Sequence, residues 1–505
     1  MAECTSVPID YLQRIMSIPP AADSGLEREL RPILEEHPGQ SGFALLQHGP
    51  AALLARAVLA DLAAVSVDVQ YYIYEEDLSG VLLTQRLLDA ADRGVRVRVL
   101  LDDNNLRGSD FALKLLAHHA NIEIRVFNPY RTRARWFRPI ELVLNFERLQ
   151  RRMHNKVFAV DGVTGIFGGR NVGDNYFGAH RDANFSDFDV FVAGPLIEEA
   201  CSSFEAYWGH RLAVPVEEFT EEEVTEEEFE QGRRRLQERL GAVEDLEERY
   251  DRARAQLIGM MEDPEETLTF AAAEFVADPP EKLDPAYAQE SPVLKRLLAL
   301  WDEAEREVLI ESAYFVPSRK ASKFIRQQAR EGAETRLLTN SLAANDVLPV
   351  HAGYVKHRRR LLKAGIGLYE FRHRHAQTGE EDIPLAGKSS DASLHAKVAV
   401  FDRRVTWVGS FNLDQRSAEL NTELGIAIHS DQLAGEAAAM IERDLEPDRS
   451  WRLGLEPRLS AGLGIVWYGL RDGRMIRLTE EPDATRLQRL AVNLLKLVPG
   501  LDRLL

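Results

Sequence analysis

The chain has 505 residues, a hydrophobic fraction of 45%, a charged fraction of 28% and a formal net charge of −19. That length accommodates two to three domains, or one large domain of two halves, and the composition is that of a well-cored chain rather than a disordered one. The acidic balance argues against a nucleic-acid partner, although a local basic groove on an acidic protein stays open.

In chain order, residues 1–45 read as an N-terminal segment. Its start, MAECTSVPIDYLQRIMSIPP, lacks a basic stretch followed by an apolar core, so no secretory signal is expected. No run of the sequence reaches the ~18 apolar residues that span a bilayer. The expected location is cytoplasmic, with membrane association open. Cys4 and Cys201 form no disulfide framework and no metal motif, and each reads as a plain thiol.

Residues 46–215 form a first α/β half. The helical PAALLARAVLADLAA leads into the strand-like SVDVQYYIY, then a helix, LLTQRLLDAADRG, and a strand, VRVRVLLDD. Before the first motif described below, NPYRTRARWFRPIELVLNFERLQRR mixes Arg131, Arg133, Arg135 and Arg138 with Tyr130, Trp136 and Phe137. That mixture suits an anionic lipid surface, a nucleic-acid backbone or an ordinary exposed loop. Residues 216–265 form an acidic helical insertion, with Glu clusters followed by Arg clusters as on one or two exposed helices.

Residues 266–445 repeat the first half. SPVLKRLLALWDEA leads into EVLIESAYF, then SKFIRQQAREG and AETRLLTNS. Gly94 and Gly332 stand where a helix C-cap is expected in each copy. Arg358, Arg359 and Arg360, in VKHRRRLLKAG, have the period of a surface helix. Residues 446–505 read as a hairpin turning at Asp472-Gly473 and a closing helix. In that helix Leu487, Leu490, Leu494 and Leu497 recur at helical spacing among Arg486, Arg489, Lys496 and Arg503. Core packing and an interfacial membrane anchor are both open for it.

Two segments carry the chemistry. MHNKVFAVDG holds His154, Lys156 and Asp161, and LHAKVAVFDR holds His395, Lys397 and Asp402. Both are HxKxxxxD, a pattern expected by chance roughly 0.02 times at this composition. Asn171 and Asn412 each follow their histidine by 17 residues, and the histidines are 241 apart, the period of the duplication. β-Branched and aromatic residues make each segment a strand, so each His and its Lys at i+2 share a face. Asp161 and Asp402 belong to the candidate catalytic set, but their opposite parity puts them in the following turn, more as anchors than as reacting groups.

A phosphodiester attacked at phosphorus builds charge on its non-bridging oxygens. Lys156, Lys397, Asn171 and Asn412, with Ser410 in VGSFN, are the candidate phosphate-binding groups. One imidazole can attack and the other can protonate the leaving oxygen. A histidine nucleophile needs an acceptor on its other ring nitrogen. Asp187, in FSDFDVFV, and Glu423, in NTELGIAI, occupy matching places and are the candidate orienting groups. No metal-ligand cluster is visible, and neither metal nor cofactor is required.

These residues closely resemble the HKD motifs of the phospholipase D superfamily. The resemblance implies duplicated α/β/α lobes, each a mixed sheet flanked by helices, related by a pseudo-two-fold axis and giving one motif each to a single site. It implies ping-pong transfer through a phosphohistidine, with His154 as nucleophile and His395 as general acid. More narrowly, LRPILEEHPGQSG, DVQYYIYEEDLSG, LLDAADRGVRVRVLLDDNN, GSFNLDQRS and NTELG resemble bacterial cardiolipin synthases of the C-type branch. That implies transfer of a phosphatidyl group from phosphatidylglycerol or phosphatidylethanolamine to phosphatidylglycerol. It also implies phospholipid substrates at an anionic membrane surface and a peripheral position on the inner face of the cell membrane. Many cardiolipin synthases begin with transmembrane helices; this chain has none, which fits the C-type branch. The acidic stretch near Glu221–Glu230 matches nothing in that pattern, and the closing helix carries Asp502. The alternatives are a phospholipase D using water and a nuclease with the same site. Whether a protein partner is needed is left open by the sequence.

Overall fold

The computed structural model describes residues 25–106, 109–132, 141, 144–219, 223–241, 246–287, 289–373, 391–458 and 462–498. Cys4, Arg133, Arg135, Trp136, Phe137, Arg138, Asp502 and Arg503 lie outside them.

The protein is a mixed α/β fold of two matching lobes. In the first, the sheet runs Ala213–Pro215, Ile122–Phe127, Arg96–Asp102, Ser66–Tyr71, Val157–Val160, Thr164–Gly168, Asp189–Ala193, Ser41–Leu46. In the second it runs Thr269–Ala277, Leu424–His429, Val405–Gly409, Lys397–Phe401, Glu307–Ser312, Glu334–Asn340, Gly367–Phe371. The two sequences of strands are mirror copies. They join where Ser41–Phe43 pairs antiparallel with Thr269–Ala271. The pseudo-two-fold axis therefore passes through this junction. Ser41–Leu46, upstream of the start expected at residue 46, is part of the first lobe's sheet.

Strand sequence follows burial. Ser66–Tyr71 is buried along its whole length, with Asp68 and Gln70 buried beside its valines, and Arg96–Asp102 along nearly all of it, where Val97, Val99, Leu100 and Leu101 suit a parallel strand covered on both faces. The helix between them, Leu78–Asp92, starts at Asp77, whose carboxylate accepts the Gly80 N–H. It ends at Gly94, in the left-handed region at φ 92°. Its counterpart Gly332 caps its helix outside the left-handed region, at φ −129°. One apolar core spans both lobes: Val157, Phe167, Val190 and Ile197 pack with Leu309, Val398, Val408 and Ile426. The lobes thus share a buried apolar face.

The insertion forms two helices, Glu226–Gly241 and Leu246–Glu262. Phe229, Leu246 and Leu257 anchor them on the first lobe's core, and Arg233 pairs with Asp92. The C-terminal part adds Ser450–Arg458, Gly462–Arg471 and Arg474–Leu478 to the second lobe's edge. Its turn has Asp472 and Gly473 at φ 51° and 72°, the two positive angles of a type I′ hairpin. Helix Arg486–Leu495 follows behind a Thr485/Gln488 capping box.

One surface expectation is corrected. Arg358 is not on a surface face but 1% exposed, held between Glu370 at 2.7 Å and Glu481. A buried guanidinium needs paired carboxylates, and the C-terminal hairpin and its following turn supply the burial and the second acid. Among the described residues, no helix is long and apolar enough to cross a membrane.

Candidate active site

Each motif histidine stands just before a buried antiparallel strand, Val157–Val160 or Lys397–Phe401. The segment in front of each is stitched to the opposite lobe. His154 N–H donates to the Thr422 carbonyl (2.9 Å), and His395 N–H to the Ser186 carbonyl (2.7 Å). The residue after each acceptor is an acid. His154 Nδ1 therefore meets Glu423 Oε2 at 2.8 Å, and His395 Nδ1 meets Asp187 Oδ2 at 2.5 Å. The orienting contacts cross between lobes, and in each imidazole they engage Nδ1, leaving Nε2 for chemistry.

All six groups are buried: His154 and His395 are each 7% exposed, and Lys156, Lys397, Asp187 and Glu423 are 2% or less. Lys156 Nζ donates to the His154 carbonyl at 2.6 Å, and Lys397 Nζ lies 3.0 Å from His395 Nδ1 and 3.3 Å from its Nε2. Burial, then the charges of Lys156 and Lys397, hold His154 well below the ordinary histidine range. Burial and Lys397 likewise lower His395. Both lysines are also pushed down by burial, against the pull of the two carboxylates. Burial and the lysine charges thus disfavour the imidazolium forms, and the negative charge of an arriving phosphodiester favours them.

The two carboxylates differ. Burial pushes Glu423 up to about 7, against the opposing charge of Lys156. Burial also acts on Asp187, but His395, Lys397 and Arg170 outweigh it and leave Asp187 below its usual range. Asp187 further accepts the Phe188 N–H at 2.7 Å.

The remaining expected site residues divide. Asn171 is engaged inside its lobe, accepting from Ile73 N–H (3.2 Å) and donating to the Tyr176 hydroxyl (3.0 Å). Asn412 is 5% exposed, and its carboxamide oxygen has no hydrogen-bond partner among the described residues. Ser410, expected among the phosphate groups, instead donates its hydroxyl to Glu423 Oε2 and accepts the Leu424 N–H (3.0 Å). It is fully buried.

Asp161 and Asp402 stand at the far end of each motif strand from its histidine. Each follows the motif strand in the left-handed region, at φ 54° and 53°. Asp161 accepts the N–H groups of Ala64, Val65 and Ser66, and Asp402 those of Glu305, Arg306 and Glu307. The strand stands between them and the imidazoles. Asp161→Ala is therefore expected to cost on the order of 2 kcal/mol of stability by orphaning these donors. Turnover per folded molecule should stay near wild type; urea unfolding beside an activity assay checks both.

Other positioning groups were not singled out from sequence. Asp102 accepts the Met153 N–H (3.0 Å) and lies 3.3 Å from Arg152. Its counterpart Asn340 bonds both the N–H and carbonyl of Leu394 (2.8 and 2.7 Å). Each thus fixes the residue preceding a motif histidine. Both end a parallel strand in matching places of the duplication, a signal present in VRVRVLLDD and AETRLLTNS. Aromatic edges flank the imidazoles, Tyr72 at 4.9 Å from His154 and Tyr176 at 5.1 Å from His395. Arg170, fully buried, donates to the Asp187 carbonyl at 2.6 Å.

Gly169 lies against Asp187: a Cβ there would sit 2.2 Å from the Asp187 Oδ1. Gly169→Ala should displace that carboxylate and lower kcat by about 100-fold with little change in KM. Steady-state kinetics on one lipid substrate would show the split, and an unchanged kcat would remove this role.

Comparison with known proteins agrees with this geometry. The family model described as "Cardiolipin synthase, PLD-like domain" matches residues 59–208 and 297–445, one match per lobe. Cardiolipin synthase C of Escherichia coli K12 is 38% identical over 475 residues, covering 93% of this chain and 97% of that protein. The chain belongs to the phospholipase D superfamily, in its cardiolipin synthase family. It is accordingly a phospholipase D superfamily enzyme of the phosphatidyltransferase class. Cardiolipin synthase A of Pseudomonas entomophila is 27% identical over 409 residues, 80% of this chain and 68% of that one. The crystal structure of phosphatidylserine synthase from Haemophilus influenzae Rd KW20 superposes with a TM-score of 0.56 at 12% identity. It covers 95% of this chain and 100% of that one, a likeness of fold.

Proposed function

We propose that this phospholipase D superfamily enzyme makes cardiolipin by moving a phosphatidyl group onto phosphatidylglycerol. The donor is a second phosphatidylglycerol or phosphatidylethanolamine. The observation that carries the reading is the pair of buried imidazoles, each bonded through Nδ1 to a carboxylate of the opposite lobe.

In the first step His154 Nε2 attacks the donor phosphorus. The bond from phosphorus to the head-group oxygen breaks, and His395 gives that oxygen its proton. In the second, His395 takes the proton of a glycerol hydroxyl on the acceptor. The resulting alkoxide displaces His154 from phosphorus and leaves cardiolipin. Lys156, Lys397 and Asn412 hold the non-bridging oxygens. The unequal carboxylates support the order of roles. Asp187, held below its usual range and bonded to His395, opposes the burial and the Lys397 charge that lower that imidazole and so favours its protonated form, the acid. Glu423, raised towards neutrality, leaves His154 unprotonated, the nucleophile. Such an enzyme works as a peripheral protein on the inner face of the cell membrane, where its substrates lie.

The test uses purified protein and vesicles of phosphatidylglycerol, with and without phosphatidylethanolamine, with products read by mass spectrometry beside His154→Ala. Cardiolipin formed only by the intact histidine supports the reading, and the mixture that gives more of it names the donor. Phosphatidic acid in its place identifies water as the acceptor. No lipid product in either mixture sinks the proposal.

A further inference from the structure

The closing helix Arg486–Leu495 presents a row of leucines to solvent. Leu487 is 79% exposed, Leu490 56% and Leu494 60%, and just beyond the helix Leu497 is 77% exposed. At ~100° per residue, Leu487, Leu490 and Leu494 fall within an arc of about 60°, and Val492 lies nearly opposite. Val492 is 3% exposed and packs on Leu342 and Ala352, so the helix is seated with its leucines turned outward. A helix held by one face normally turns its polar side to water.

Charge says what the leucines face. Thr485–Val498 carries Arg486, Arg489 and Lys496 and no acid, on a chain whose net charge is −19. Arg486 lies about 70° from the centre of the leucine arc, and Arg489, paired with Glu480, and Lys496 lie further round on the same side towards Val492. A second copy of this acidic chain offers poor complementarity; an anionic bilayer offers both an apolar interior and phosphates for the flank.

Position ties the helix to the active site. Strand Glu334–Asn340 ends at Asn340, which fixes Leu394 beside His395. The loop that follows packs through Leu342 against Val492. In the same loop, Asp346 accepts the Tyr314 hydroxyl at 2.9 Å, and its charge reaches Lys397. The helix therefore sits at the carboxyl end of the second lobe's parallel strands, the end that carries the site.

We propose that this leucine face docks the enzyme on an anionic bilayer and brings the mouth of the site to the lipid surface. The proposal rests on the reading that the substrate is a bilayer phospholipid.

The test uses the full chain with vesicles of phosphatidylcholine alone or containing phosphatidylglycerol. In one arm Leu490→Trp reports insertion: its emission should shift to the blue, and brominated acyl chains should quench it, only on the anionic vesicles. In the other, Leu490→Asp/Leu494→Asp should weaken co-sedimentation with those vesicles more than tenfold. Melting at the wild-type temperature, expected because both leucines are exposed, separates that loss from unfolding. Equal binding by the double variant overturns the proposal. So do an unshifted tryptophan, a shift on neutral vesicles alone, or a change in oligomeric state with vesicle binding intact. These readouts need no turnover, so a wild-type protein that binds but makes no lipid product refutes the proposed activity and not the docking.

Discussion

His154→Ala is expected to lower phosphatidyl transfer by at least about 10⁴-fold, because it removes the atom that bonds to phosphorus. His395→Ala is expected to cost about 10²–10⁴-fold, the range for a positioned general acid. The two losses are separable in kind. A phosphatidyl ester of p-nitrophenol leaves without a proton, so it should restore much of the first step to His395→Ala and none to His154→Ala. Stopped-flow release of p-nitrophenol reads this directly. Rescue of His154→Ala instead would exchange the two roles while leaving the site intact. The prior reason for this order is the unlike state of the two carboxylates, with Asp187 held below its usual range and Glu423 raised to about 7.

The second large effect follows from the crossed wiring. Glu423→Gln and Asp187→Asn should each cost about 10²–10⁴-fold, since an amide offers its histidine the wrong partner and the wrong tautomer follows. Glu423 lies in the second lobe but serves His154, and Asp187 lies in the first but serves His395. Glu423→Gln should therefore behave like a nucleophile defect, unrescued by the p-nitrophenyl ester. Asp187→Asn should behave like an acid defect and be rescued. If each acid served the histidine of its own lobe, the pattern would be reversed. Both side chains are buried, so a melting curve must accompany each variant to separate lost orientation from lost fold.

Much of this was legible from the chain. Two HxKxxxxD segments with asparagines at equal offsets define both the duplication and the reaction class, because the chemistry of a phosphodiester dictates those residue types. Strand parity separated Asp161 and Asp402 from the imidazoles, and the turns they occupy bind backbone N–H groups. Asp187 and Glu423 stood out by their matching places. Local pattern misled where burial was decided elsewhere. Arg358 has the period of a surface helix, but a hairpin about a hundred residues later covers it and Glu481 pairs with it. Ser410 is the right type to hold a phosphate, and its hydroxyl is bonded to Glu423, which the backbone of the neighbouring strand brings to it.

The amino-acid sequence by itself determined the α/β lobes, their repetition, the phospholipase D superfamily chemistry and the hairpin at Asp472-Gly473. The lobes and the hairpin depend on residue type and on periods of two to a few residues, the repetition on the 241-residue offset of the two motifs, and the superfamily on the resemblance those motifs carry. Only the tertiary structure decided that the sheet runs unbroken through Ser41–Phe43 and Thr269–Ala271. It alone decided that each histidine is oriented across the lobe boundary, and that the closing helix shows its leucines outward. His154 and Glu423 are 269 residues apart, and His395 and Asp187 are 208 apart. No local period encodes such a contact; the shared apolar core creates it when the lobes close on one another.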